Sequence, residues 1–153
     1  MNPHNRAGSP RSHDRSRSES LQRPATYADT KGNMRPELVD SEARNEARYW
    51  CGNKITSTQL RRFFGAVRAD ERRFNLQQGQ TADSEVQVAM MMLKTKAYYA
   101  AARDRKHKPI ADFCDHHAKL VKTHTDFTHF LRHFEAVTAY HKYFEKGKSN
   151  DRA

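Results

Sequence analysis

Phe134-Glu135-Ala136-Val137-Thr138-Ala139-Tyr140-His141-Lys142-Tyr143-Phe144, continuing through Glu145-Lys146-Gly147-Lys148, reads as the end of one long helix, apolar along one side. Cations at its last turn complement the negative end of the helix dipole, and Gly147 reads as a stop signal. Upstream, Asp126 reads as the cap of this fifth helix, whose buried face is Phe127, Phe130, Leu131, Phe134 and Val137.

The same periodicity recurs towards the N-terminus. Pro109 suits the first turn of a fourth helix, about Ile110 to Lys122, and Asp83 or Ser84 caps a third, Glu85 to about Arg105. From Val86 to Ala102 that third helix is apolar nearly all round, which predicts a central place, with Met90, Met91 and Met92 filling gaps in the core in preference to forming a self-association surface. Thr56-Ser57-Thr58-Gln59 is a capping box, in which a hydroxyl accepts from the amide three residues on and the Gln reaches back. Behind it Leu60, Phe63, Phe64 and Val67 form one stripe. Glu37 to Trp50 is a polar, mixed-charge helix with Leu38, Val39, Tyr49 and Trp50 as its apolar contacts. No stretch alternates apolar and polar residues with β-branched enrichment, so no strand is expected. Short connections predict an all-α, compact antiparallel bundle of about five helices, one domain over residues 34–153.

Residues 1–33 read as a disordered basic tail, in which Arg11 to Ser18 forms a loose cationic run. The chain of 153 residues carries +10, with a pI near 9.9 and a mean hydropathy of -1.05. Such a balance points to a polyanionic partner, and the longest apolar run, Val88 to Leu93, is far too short to span a membrane. Two cysteines, Cys51 and Cys114, with no apolar leader, suggest the reducing cytoplasm.

Three clusters are candidate phosphate contacts. The second helix offers Arg61, Arg62, Arg68 and Arg72, preceded by Lys54; the third offers Lys94, Lys96, Arg103, Arg105 and Lys106, interleaved with Tyr98 and Tyr99; the last is His141, Lys142, Lys146 and Lys148. Residues 51–153 hold 19 Lys/Arg against 11 Asp/Glu, a bias that a merely solvated set of helix faces explains less well. Arginine on the second helix suits bidentate phosphate contacts.

Catalysis has little to rest on. Cys114-x2-His117 and His129-x3-His133 have zinc-like spacing, yet all four lie within amphipathic helices without a Gly-rich knuckle, and the histidines read as exposed helix-face residues. Asp115-His116-His117 lacks the strand-end aspartates of a phosphoesterase site, and no Walker loop, dinucleotide fingerprint or Ser–His–Asp set appears. No catalytic residue, metal or cofactor is expected. Charge alone also fits a small basic DNA-binding or nucleoid-type protein.

Four segments, in order, resemble the small α-helical subunit of the type III-A CRISPR effector, the Csm complex. Ile55 to Phe63 is similar to that family's capped helix start, and Leu93-Lys94-Thr95-Lys96-Ala97-Tyr98-Tyr99-Ala100-Ala101-Ala102-Arg103 to its central stretch, with Thr95 in place of proline and Ala102 in place of glycine. Asp126-Phe127 to Phe130 resembles a Phe-rich helix start, and Phe134 to Tyr143 the closing helix, whose usual Gly-Gly-Lys ending is loosened here. The resemblance spans about residues 55–148. It implies a non-catalytic subunit of a cytoplasmic prokaryotic ribonucleoprotein in antiviral defence. Several copies would stack head-to-tail along the guide RNA, beside the backbone filament subunit and the large polymerase-like subunit. They would help hold the guide–target RNA duplex by sequence-independent contacts.

Overall fold

Five α-helices make up most of the described residues: α1 Ser41–Gly52, α2 Ser57–Leu76, α3 Asp83–Arg103, α4 Lys108–Leu120 and α5 His124–Asn150. The computed structural model describes residues 21–147, with the backbone of α5 continuing to Asn150. Short 3-10 turns at Pro36–Val39 and Arg105–His107 precede α1 and α4, and an isolated bridge joins Ala28 to Met34. No strand is present among the described residues, as the sequence pattern predicts.

The helix starts follow local chemistry. Thr56 Oγ1 accepts from the Gln59 amide at 3.3 Å and Gln59 Oε1 accepts from the Thr56 amide at 2.9 Å, closing the expected box. Such a cap contributes about 1 kcal/mol. Pro109 sits in the first turn of α4. Asp126 is the third residue of α5 rather than its cap. It accepts from the Thr123 amide while Thr123 Oγ1 accepts from the Asp126 amide, so Thr123 is the capping hydroxyl. The expected Asp83 or Ser84 cap is absent, since Ala82 precedes α3 and offers no polar side chain; Asp83 and Glu85 act instead as first-turn charges. Gly147 does not stop α5, which continues to Asn150.

The core forms around α5, which packs on α1 and α2, while α3 lies mainly on α4. Phe127, Phe130, Leu131, Phe134 and Val137 are all buried, as the period predicts. Trp50 anchors α1: its ring meets Phe113 edge-on at 4.9 Å and Phe134 at 6.0 Å, and its Nε1 donates to Glu46 at 3.1 Å. Val39 and Tyr49, expected to join it, face solvent.

Two expectations are corrected by the packing. Helix α3 is lateral, not central. It buries Val86, Ala89, Met90, Leu93 and Ala97, and leaves Val88, Met91, Met92, Tyr98 and Tyr99 exposed. Of the three methionines only Met90 is core. Residues 21–33, expected to belong to a disordered tail, instead fold back on the helices. Pro24 and Tyr27 are buried there, and Arg23 Nη2 pairs with Glu46 at 3.0 Å. Positions 1–20 of that expected tail lie outside the described residues.

Candidate nucleic-acid interface

Because α3 leans on α4 and α2 on α5, α2 and α3 meet only sparsely and leave a groove of about 590 Å³ between them. Lys96, Tyr99, Ala100 and Arg103 fall at i, i+3, i+4 and i+7, so one face of α3 supplies one wall. Arg62 rises from α2, and Phe63, Ala66 and Ala100 form an apolar floor. The Arg103 guanidinium lies 5.9 Å from the centroid of the Tyr99 ring, which is 66% exposed. The seam runs on into a smaller hollow of about 310 Å³ that shares Ala66 and Lys96 and adds Val88, Met92 and Arg73.

The basic residues divide into paired and unpaired groups. Lys94 Nζ bonds Asp115 of α4 at 2.9 Å, which raises the lysine and, with Lys119, holds the carboxyl below its usual range. Lys94 and Lys96 therefore point to different neighbours, two residues (about 200°) apart on the helix. Arg68 pairs with Glu71 at 3.1 Å and Lys106 with Asp104 at 3.2 Å. Such exposed pairs add little stability and remain exchangeable for another anion. Arg61, Arg62, Arg72, Lys96, Arg103, Arg105, Lys54, Lys142 and Lys146 are exposed and form no ion pair among the described residues.

The cluster on α5 needs correction. His141 is fully buried and its Nε2 donates to the Ile55 carbonyl at 2.7 Å, so it fastens the α1–α2 loop and presents nothing to a partner. The Lys148 side chain lies outside the described residues. Glu145, between Lys142 and Lys146, accepts from the Ser57 amide at 2.9 Å and from Ser57 Oγ at 2.6 Å. Burial pushes this carboxyl up, but the Ser57 bonds outweigh it and leave it below its usual range. Sequence reasoning missed Arg44 and Arg48, whose guanidinium groups lie over Tyr140 at 5.8 Å and Phe144 at 5.1 Å. Matching i, i+4 spacing on α1 and α5 is the signal that points to them.

His117, His129 and His133 are not exposed helix-face groups either. His117 and His133 are buried, their ring centroids 5.2 Å apart. Their Nδ1 atoms bond the Tyr27 hydroxyl and the Leu38 carbonyl respectively. Burial holds both rings below their ordinary value, His117 strongly, and pushes the Cys114 thiol up, which disfavours a thiolate ligand. Among the described residues no three His, Cys, Asp or Glu side chains converge as metal ligands.

No helix among the described residues is long and apolar enough to cross a membrane. No curated protein and no solved structure matches the chain. A family model does match, the one described as Csm2 Type III-A, over residues 33–147. The match starts well before the expected residue 55 and so takes in α1. The chain belongs to the Csm2 Type III-A family and is a small subunit of the type III-A CRISPR effector complex.

Proposed function

We propose that this subunit is non-catalytic and grips the backbone of the guide–target RNA duplex, without reading sequence, along the α2–α3 groove. The observation that carries this is the convergence of Arg62, Lys96 and Arg103 on one groove: the carboxylate that also lines it, Asp104, pairs with Lys106, and none of the three cations forms an ion pair among the described residues. An A-form duplex presents phosphates and 2′-hydroxyls on its surface, which a rigid helical block with fixed cations can hold. Lys54, Arg61, Arg72, Arg105, Lys142 and Lys146 extend the grip around the same block, and Arg68, Lys94 and Lys106 join by exchanging an internal carboxylate for a phosphate. In this reading the protein works in the cytoplasm beside the backbone filament and large polymerase-like subunits. Copies stack head-to-tail through the exposed Val88, Met91, Met92 and Tyr98 of α3.

The test is RNA-duplex affinity measured over a range of salt. Affinity should fall steeply as salt rises, and Arg62→Glu with Lys96→Glu should weaken binding and lower the log–log slope by about 1 for each phosphate that is no longer held. An affinity indifferent to salt would sink the proposal. Preference for duplex DNA in competition would favour a DNA-binding role instead.

A further inference from the structure

Holding a duplex backbone requires only cations standing above a surface. This groove has more than that: an apolar floor of Phe63, Ala66 and Ala100, and beside it the largely exposed ring of Tyr99. Its volume of about 590 Å³ falls among those of small-molecule sites, roughly 300–1,000 Å³. A paired base keeps both faces stacked on its neighbours and its edge joined to a partner, so it cannot use an apolar floor. A base turned out of the helix can, because stacking on an aromatic side chain replaces the stacking that it gave up. The polar end of the groove adds Gln59, whose Oε1 is already held by the Thr56 amide. Its side-chain amide nitrogen is thereby left as a donor, suited to a base carbonyl.

We infer that the groove is a pocket for one unpaired nucleotide of a bound RNA. The base lies on Tyr99 above the Phe63–Ala100 floor, and Arg62, Lys96 and Arg103 hold the phosphates on either side of it. The Arg103 guanidinium also lies over the Tyr99 ring, so its charge is attracted to the ring face. This rests on the reading that the chain grips RNA at the same groove.

The experiment compares two RNA duplexes, identical except for a single bulged 2-aminopurine nucleotide in one of them, bound to the full chain at fixed salt. The bulged duplex should bind roughly tenfold tighter, the scale of one base–aromatic stack, and its fluorescence should be quenched on binding. Tyr99→Ala should abolish both the preference and the quenching. Tyr143→Ala, at a similarly exposed ring on α5 outside the groove, should leave the preference intact. Equal affinity for the two duplexes with no quenching overturns the pocket and leaves the backbone grip standing. Failure of the chain to bind either duplex overturns both.

Discussion

The hydroxyl of Tyr27 and Nδ1 of His117, 90 positions apart in the chain, share a buried hydrogen bond, and their rings stack at 5.7 Å. Burial, with the Asp126 charge, pushes the phenol far above its usual range, so it stays protonated and able to donate. His116 Nε2 bonds the Pro24 carbonyl beside it. Tyr27→Phe keeps the stack and leaves the imidazole nitrogen unsatisfied, so denaturant unfolding should show a loss of roughly 1–3 kcal/mol. RNA affinity should not move. A variant as stable as the parent would show that the bond contributes nothing.

Stability should depend on pH through two opposing sets of buried groups. His117 and His133 titrate below their ordinary 6.5 in the folded protein, so the unfolded chain binds protons first and stability is lost as pH falls below about 6.5. Glu46 acts the other way. Burial raises it from 4.5 to about 7 even though Arg23 pulls it down, so its contribution is full below 4.5 and is lost as pH rises towards 7. Glu46→Gln removes that opposing contribution, and unfolding free energies at pH 7 and pH 5 should show a steeper acid loss than in the parent.

Trp50→Ala should cost about 3–5 kcal/mol, the range for deleting a large buried aromatic side chain. The ring is fully buried between Phe113 and Phe134, and its removal also strips Glu46 of a donor. Thermal or denaturant unfolding measures this directly, and a loss under about 1 kcal/mol would mean that α1 is not anchored through this ring.

Two neighbours on α5 should part company when substituted. His141→Ala removes the donor to the Ile55 carbonyl and should cost roughly 1–3 kcal/mol of stability. Lys142→Glu should change stability by no more than about 0.5 kcal/mol, since the side chain is exposed and forms no ion pair among the described residues, while lowering RNA affinity. The reverse pattern would return the imidazole to the binding surface and remove the lysine from it.

Much of the architecture is readable from residues with strong local preferences. The Thr56 box, Pro109 and the Phe stripe of α5 each dictate a helix start or a buried face through neighbours close in sequence. What escaped depends on distance or phase. Tyr27 sits in a polar stretch whose composition gives no hint of a partner on α4. His141 follows Phe134 and Val137 at i+7 and i+4, and His117 follows Ile110, Phe113 and Cys114 in the same way, so helical phase placed both inside although residue type suggested the surface. Helix α3 misled in the opposite sense. It is rich in Ala, Met and Tyr all round, yet one apolar face is enough to seat it on α4, and the other stays exposed. Of the candidate site, Arg62, Lys96, Tyr99 and Arg103 were each identifiable from sequence. That Lys96 turns to α2 while Lys94 turns to α4 depends on the crossing of three helices.

The two jaws of the groove belong to different halves of the molecule, α2 riding on α5 and α3 on α4, and they scarcely touch each other. Away from the groove, Phe113 of α4 wedges between Trp50 of α1 and Phe134 of α5 and so helps to join the two halves. None of these three rings lines the mouth, so the gap between the jaws rests partly on residues that never meet whatever enters it.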